Sequence, residues 1–209
     1  MRMVAEVDGM KESVEDIGDR EKKLSRLPLA SPGFDRADRK LNAAEIGTAM
    51  HLVMEKLDFR KALEQGEEYI EQTVERLSDE GFLSDEEKAV IDVDNITTFF
   101  TQDIGRRATK AAAGGRLHKE REFILQKEIK GVPAIVQGII DCYFEEDDGI
   151  VLIDYKNSYV GAGASEAEIR GRYEGQIRLY EEALEAATGK KVKEAYLYLF
   201  NSKEPIERV

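Results

Sequence analysis

Two aspartates and a lysine fall within predicted β-strands: Asp141, Asp154 and Lys156. An ionised group in the middle of an apolar strand is costly to desolvate unless it is paired or binds a metal. Hard cations such as Mg²⁺ take oxygen ligands, commonly one or two carboxylates together with substrate phosphate and water. An ammonium beside such a cation could stabilise or help to generate an attacking hydroxide. The three residues suggest a divalent-cation site, although a plain ion pair between Lys156 and one aspartate fits this short pattern equally well.

These residues lie on a predicted β-hairpin. The apolar runs Ile135–Phe144 and Ile150–Tyr155 flank an acidic turn that ends in Gly149. Such runs on either side of a residue that tolerates positive φ are typical of a hairpin. Because side chains alternate along a strand, we expect Asp154 and Lys156 on the same face of the sheet.

A predicted helix carries a third candidate ligand, His51. Asn42 is a plausible N-cap with Glu45 three residues later, and the helix extends to about Leu57. Gly47 lies one turn before His51, where the missing side chain would let another segment approach closely. A histidine on a helix face commonly has no metal role, so this helix alone does not decide between the two interpretations.

The composition indicates a soluble globular chain of one large domain or two small ones. The 209 residues are 42% hydrophobic and 35% charged, and no apolar run approaches the roughly 20 residues that span a bilayer. The first residues lead at once into acids, so no secretory signal is expected. Cys142 is the only cysteine, which excludes an internal disulfide and a four-cysteine zinc or iron–sulfur site. We expect a cytoplasmic protein that makes no use of a membrane.

The net charge of −12 opposes strong unaided binding to nucleic acid, because phosphate contacts need lysine and arginine. An acidic metal-dependent nuclease can still act when a partner delivers the DNA. The one basic stretch, Arg106 to Arg121, fits either a strip that contacts phosphates or a solvated helix face and loop.

The remaining patterns predict helices, then three strands, a long helix and a last strand, which is a mixed α/β order. We expect an irregular arm or linker at residues 1–40 and a single domain at 41–209, with a helical part at 41–114 and a sheet and helix core at 116–209. The predicted helices are Glu67–Asp79, a continuous helix from the capping box at Ser84 through Phe100, one near Gln102–Ala112, and one from Ser165 to about Ala187. The predicted strands beside the hairpin are Lys119–Gln126, an internal strand at Lys193–Phe200 and a short edge strand within Glu204–Val209.

Five short motifs occur in a fixed order along the chain. They are Gly47-Thr48-Ala49-Met50-His51, Glu122-Phe123, Gly138-Ile139-Ile140-Asp141, Asp154-Tyr155-Lys156 and Gln176-Ile177-Arg178-Leu179-Tyr180. This set resembles the RecB-type branch of the PD-(D/E)xK nuclease superfamily, whose marks are G-T-x-x-H, G-x-x-D, D-Y-K and Q-x-x-x-Y. Over about residues 27–200, the chain is most similar to the C-terminal nuclease domains of AddA-type helicase–nuclease subunits.

The resemblance implies a restriction-endonuclease-like fold, in which helices flank a mixed β-sheet, and a metal site within it. In such a site His51, Asp141 and Asp154, with the backbone carbonyl of Tyr155, would hold Mg²⁺ or Mn²⁺. Lys156 would orient or activate water and stabilise the charged transition state. Phosphodiester hydrolysis needs a metal to polarise the phosphoryl oxygen and to lower the pKa of water, so the implied set suits that reaction.

The resemblance also implies roles for three further residues. Gln176 and Tyr180 would brace the site or touch the DNA backbone. Glu122 would be either a ligand acting through water or a residue that supports the fold. The absence of a cysteine set argues against relatives that carry an iron–sulfur cluster.

The function implied is a metal-dependent DNA exonuclease domain of a helicase–nuclease that acts in double-strand break repair and recombination. Its partners would be DNA, with single-stranded ends as substrate, the helicase portion of the same polypeptide and an AddB-type partner subunit. One alternative is a non-catalytic domain of the same fold that docks a partner subunit. Another is a stand-alone recombination exonuclease of a phage or mobile element. The sequence does not separate an excised domain from a stand-alone protein.

Overall fold

The computed structural model describes residues 41–129, 131–157, 165–202 and 204–207. The helices in these residues are α1 (Ala43–Lys56), α2 (Phe59–Gln65), α3 (Glu67–Asp79), α4 (Asp85–Ala89), α5 (Val93–Thr101), α6 (Asp103–Ala113) and α7 (Glu166–Thr188). The strands are β1 (Leu117–Ile129), β2 (Val132–Glu146), β3 (Gly149–Lys156), β4 (Val192–Leu199) and β5 (Glu204–Glu207). This order confirms the predicted mixed α/β fold. The arm predicted at residues 1–40 lies outside the described residues.

Capping boxes start three of these helices, as the sequence predicts. The Asn42 side chain accepts a hydrogen bond from the Glu45 amide at 2.9 Å, and the Glu45 carboxylate accepts one from the Asn42 amide at 2.9 Å. The same reciprocal pair is present at the starts of α4 and α7. Each box satisfies amide groups that have no partner inside the helix, which fixes where the helix begins.

Two predictions for the helical region were wrong in detail. The continuous helix expected from Ser84 through Phe100 is divided into α4 and α5, because the Asp92 side chain accepts a hydrogen bond from the Asn95 amide at 3.0 Å and starts a new helix. A short aspartate side chain that bonds to nearby amides competes with helix continuation. The second difference is α2, which begins after the N-cap Asp58 and was not predicted.

The strands form one sheet in the order β1-β2-β3-β4-β5. All neighbouring strands are antiparallel except β3 and β4, which run parallel and are connected through α7. Every residue of β3 is buried, so this strand is the centre of the sheet. The prediction that the strand at Lys193–Phe200 is internal is confirmed, since β4 lies between β3 and β5.

The two faces of the sheet carry separate cores. Consecutive residues of β3 alternate between them: Ile153 packs in the core under α1–α6, and Leu152 packs in the core under α7. Other large members of the first core are Met50, Val53, Phe99, Phe100, Phe144 and Tyr198. Other members of the second are Ile140, Ile177, Tyr180, Leu184 and Leu197. Among the described residues, no helix is long and apolar enough to cross a membrane.

The predicted basic stretch is largely engaged within the chain. The Arg107 guanidinium lies 2.8 Å from a carboxylate oxygen of Glu146 and 2.7 Å from one of Glu194. Its hydrogen bonds lower the pKa of Glu146 to about 2. Arg116 pairs with Asp147 at 3.0 Å. These contacts tie α6 and the start of β1 to the β2–β3 turn and to β4, which favours a structural role for this part of the stretch over contact with phosphates.

Candidate metal centre

The pairing of β1 with β2 is interrupted at Glu120 and Asp141. The ladder is regular on both sides of these two residues, but they do not form a pair in it. Glu120 has a φ of 46°, which is uncommon for a residue with a side chain and is found where surrounding structure imposes strain. At this irregularity, the side chains of β2 change the face of the sheet on which they lie. Cys142 packs in the first core and Ile140 in the second, although residues two apart share a face in a regular strand.

The imidazole of His51 meets both irregular residues. Its Nδ1 atom lies 3.4 Å from Asp141 Oδ1 and 3.9 Å from Glu120 Oε1. Ligand atoms from the three side chains all lie within 4.8 Å of one another. His51 is 8% exposed and Asp141 2% exposed. The structure therefore brings together a histidine from α1 and carboxylates from two strands, including the predicted ligands His51 and Asp141.

The backbone of Tyr155 contacts the same two predicted ligands, His51 and Asp141. His51 Nε2 lies 2.9 Å from the Tyr155 carbonyl oxygen, and the Tyr155 amide donates a hydrogen bond to Asp141 Oδ2 at 2.9 Å. The Nε2 contact with the carbonyl is a hydrogen bond, in which Nε2–H donates. Nδ1 is then the ring nitrogen that faces the carboxylates of Asp141 and Glu120 and is available to a cation.

Asp154 and Lys156 lie beside this group on β3. The last pair of the β2–β3 ladder is Cys142 with Ile153, so the next position in register sets Asp141 opposite Asp154. Asp154 is 0% exposed and Lys156 4% exposed. Asp154 Oδ2 lies 2.8 Å from Lys156 Nζ. The ion pair that the sequence left open is therefore present, one register position from Asp141. Among the described residues, the ligand atoms that cluster within 4.8 Å come from His51, Glu120 and Asp141, and the predicted ligand Asp154 is not in that cluster.

The charge of the site fits a divalent cation. Glu120, Asp141 and Asp154 bring three carboxylates to this part of the fold, and those of Asp141 and Asp154 are almost fully buried. Buried charge of one sign is expensive unless an opposite charge accompanies it. Carboxylate and carbonyl oxygens suit Mg²⁺ or Mn²⁺, and an imidazole among the ligands favours Mn²⁺ somewhat.

Gln176 and Tyr180 pair with each other on α7. Gln176 Nε2 donates a hydrogen bond to the Tyr180 hydroxyl at 2.7 Å. The Tyr180 ring packs edge-on against Phe123 of β1 with 5.6 Å between centroids. These contacts fit a bracing role, in which α7 is held against the strand that carries Glu120. A contact of the pair with DNA stays a prediction.

The sequence reasoning singled out Glu122 and missed Glu120. Glu122 is exposed and lies opposite Ile139 in the ladder, and its proposed role stays a prediction. A regular strand would present Glu120 and Glu122 on the same face, so the alternation of the Lys119–Phe123 segment could not choose between them. The positive φ that directs Glu120 towards His51 left no signal in the sequence, because such a φ usually marks glycine or asparagine.

Lys119 connects the helix that carries His51 to the strand that carries Glu120. Its Nζ atom donates to the carbonyl oxygens of Leu57 at 2.6 Å and Glu55 at 2.5 Å. The ammonium also lies 5.0 Å above the ring of Phe59. The last carbonyls of a helix have no partner inside the helix, so Lys119 satisfies them and fixes the end of α1 on β1. Burial lowers the pKa of Lys119.

We predict that Lys119→Met lowers the free energy of unfolding by about 1–3 kcal/mol, because buried carbonyls lose a charged donor. Urea denaturation followed by circular dichroism measures this. Lys127→Met is the matched control: it is the same substitution on the same strand, where an exposed lysine pairs with Glu182, and we expect a change of no more than ~0.5 kcal/mol. Equal effects of the two substitutions would show that the contacts of Lys119 do not hold α1.

Comparisons with known proteins show the family of this chain. Residues 23–208 match the model of the PD-(D/E)XK nuclease superfamily. The AddA component of the ATP-dependent helicase/nuclease from Clostridium botulinum strain Hall is 40% identical over 193 residues, which cover 87% of this chain and 14% of that protein. The protein of the same name from Alkaliphilus metalliredigens is 38% identical over 207 residues, covering 92% of this chain and 17% of that protein. The one from Clostridium novyi is 41% identical over 188 residues, covering 86% and 15%.

The chain thus spans 14 to 17% of the length of these relatives. The match to the superfamily model extends from before α1 to the end of β5, so it includes every element that positions the site. The resemblance predicted from the five motifs is confirmed. This chain belongs to the PD-(D/E)XK nuclease superfamily and is homologous to a segment of the AddA proteins of ATP-dependent helicase/nucleases.

Proposed function

We propose that this domain is a metal-dependent DNA nuclease that hydrolyses phosphodiester bonds. The observation that carries the proposal is the convergence of His51 and Asp141 from separate elements, next to the buried Asp154–Lys156 pair, in a member of a nuclease superfamily. Buried carboxylates around an imidazole suit a site that binds a cation and, through it, a phosphate.

The ligands of Mg²⁺ or Mn²⁺ in this proposal are His51, Asp141, Asp154 and the carbonyl of Tyr155, with Glu120 as a further carboxylate in reach. When bound, the ion would polarise a phosphoryl oxygen and lower the pKa of a water molecule. The Tyr155 amide holds one oxygen of Asp141 at 2.9 Å, which leaves the other oxygen directed towards His51. The backbone of β3 therefore orients the carboxylate before any ion arrives.

Lys156 supplies a positive charge at the position where negative charge develops during hydrolysis. Its ammonium is almost fully buried and lies 2.8 Å from Asp154. Charges act strongly on one another where water is excluded, so a fixed ammonium stabilises a charged phosphorane-like state without reorganisation. The same ammonium can orient the attacking water, since it donates up to three hydrogen bonds.

We propose further that the substrate is DNA with single-stranded ends, and that the domain acts as an exonuclease in break repair and recombination. The helicase/nuclease name of its relatives supports a setting in which the helicase portion of a longer polypeptide, with an AddB-type partner subunit, delivers the strand. The net charge of −12 supports the same setting, because an acidic domain gains little affinity for DNA by itself.

Calorimetry and cleavage assays test the proposal together. We expect the domain to bind one Mn²⁺ ion, and to shorten end-labelled single-stranded DNA in Mg²⁺ or Mn²⁺ but not in EDTA. Low ionic strength is needed because few phosphates are neutralised by the protein. A domain that binds neither ion and leaves the DNA intact would instead support the non-catalytic role, in which this fold docks a partner subunit.

A further inference from the structure

The Lys156 ammonium has an aromatic neighbour in addition to Asp154. Its Nζ atom lies over the ring of Tyr173, 4.9 Å from the centroid. An ammonium within about 6 Å of an aromatic face is attracted by the negative charge density of that face, and the attraction grows when water is excluded. Lys156 is nearly buried, so this contact lies in the favourable range.

The core holds the Tyr173 ring in place. Tyr173 lies on the sheet-facing side of α7, four residues after Ile169 and four before Ile177, and it packs against the second core while remaining partly exposed. Ile177 and Tyr180 are buried in that core and fix α7 on the sheet. The ring is therefore a rigid surface at a defined distance from β3.

The contact with Tyr173 can help to hold Lys156 in place, because Asp154 has two roles. In the proposed function the same carboxylate is a ligand of the cation and holds the ammonium. An oxygen that faces a divalent ion attracts a neighbouring ammonium less strongly, and a lysine side chain has four rotatable bonds through which it can move away. An aromatic face attracts the ammonium but offers no carboxylate oxygen, so it holds Lys156 without competing for the ion.

We propose that Tyr173 is a positioning residue for catalysis, whose ring keeps the Lys156 ammonium beside Asp154. The inference rests on the proposed nuclease function and assigns to that site a residue outside the five motifs. This role depends on the aromatic face and not on the hydroxyl of Tyr173. We therefore expect phenylalanine at this position to preserve the role and leucine to abolish it.

Kinetics of two variants test the role. We expect Tyr173→Leu to lower kcat for single-stranded DNA roughly tenfold, while KM and the Kd for Mn²⁺ stay near wild type. We expect Tyr173→Phe to keep kcat within about threefold of wild type. A normal kcat in Tyr173→Leu, or a raised KM at normal kcat, would overturn the proposal, because the ring would then have no role or would contact the substrate itself.

The matched control uses a second tyrosine, Tyr69, whose ring face also contacts a lysine ammonium. In the helical region the Lys61 ammonium lies 5.8 Å from the centroid of the Tyr69 ring. Tyr69→Leu makes the same change away from the site, and we expect kcat to be unchanged. A comparable loss of kcat in this control would mean that lost stability explains the effect of Tyr173→Leu.

Nuclear magnetic resonance separates this inference from the proposed function. Protons above an aromatic ring resonate upfield, so we expect upfield-shifted Lys156 Hε signals, and their loss in Lys156→Met would assign them. We expect the upfield shift to persist in Tyr173→Phe and to vanish in Tyr173→Leu. If wild-type protein fails to cut DNA, the nuclease proposal fails while these signals still decide whether Tyr173 holds Lys156; signals that do not change in Tyr173→Leu overturn the inference even in an active enzyme.

Discussion

Asp154→Asn is expected to reduce DNA cleavage by at least about 1,000-fold, which corresponds to about 4 kcal/mol in the barrier. The substitution keeps the size of the side chain but removes its charge. Asp154 is completely buried and its Oδ2 atom lies 2.8 Å from Lys156 Nζ. The neutral amide would bind a divalent cation more weakly and would no longer hold the Lys156 ammonium by charge. The transition state would therefore lose stabilisation from the cation and from the ammonium at the same time.

The folded state should survive this change. The apolar residues next to Asp154 on β3 keep their packing in the two cores, and asparagine has nearly the size of aspartate. Circular dichroism should therefore resemble wild type. The melting temperature should fall, because the buried Lys156 ammonium loses a charged partner, and calorimetry with Mn²⁺ should show weaker binding. Loss of activity with the fold retained distinguishes a catalytic aspartate from a structural one.

Asp148→Asn provides the comparison, because it makes the same substitution on the same hairpin. Asp148 lies at the β2–β3 turn, where it is exposed and pairs with Lys193 at 2.6 Å. We expect its cleavage rate to equal that of wild type. If Asp154→Asn kept more than about a tenth of the wild-type rate, the cleaving site would have to be sought elsewhere, or the activity assigned to a contaminant.

The parts of the fold that could be predicted are those with local causes. Asn42 and Glu45 cap each other three residues apart, and Ser165 and Glu168 do the same. Such pairs are visible in the sequence because both partners lie within one turn. The central hairpin was equally visible, since its apolar runs and Gly149 adjoin one another. β2 begins three residues before its predicted run and ends two residues after it, and β3 extends one residue beyond each predicted end.

The parts that could not be predicted depend on distant contacts. Glu120 joins the site because α1 places His51 against an irregular point of β1, and neither the contact nor the positive φ follows from neighbouring residues. The contact of Lys119 with the end of α1 spans more than sixty residues of sequence. His51 and Asp141 were candidate ligands on the residues alone, and the resemblance to a family supplied the reason to place them in one site.

Gly105→Ala is expected to destabilise the domain by about 3 kcal/mol or more. A Cβ atom at Gly105 would lie 2.0 Å from the carbonyl oxygen of Phe99 and 2.9 Å from the Cα atom of Phe100. Both are backbone atoms of α5, so no side-chain rotation relieves the overlap. The helices α5 and α6 would have to separate at a point where both are buried, and a fall in the melting temperature of about 6–12 °C should result.

The consequence should extend to the metal centre. The Phe99 ring contacts those of Tyr155 and Tyr198, with centroids 5.8 and 4.9 Å apart, and the Tyr155 carbonyl lies against His51. Movement of α5 would therefore disturb one side of the site, and Gly105→Ala should bind Mn²⁺ more weakly even at temperatures where it stays folded. Gly171→Ala is the control: its Cβ would meet no atom within 4 Å on an exposed turn of α7, where alanine should stabilise the helix by up to about 1 kcal/mol. If Gly105→Ala has the melting temperature of wild type, α5 and α6 can separate without a loss of stability. The close packing of these helices would then not be the cause that fixes Tyr155 beside His51.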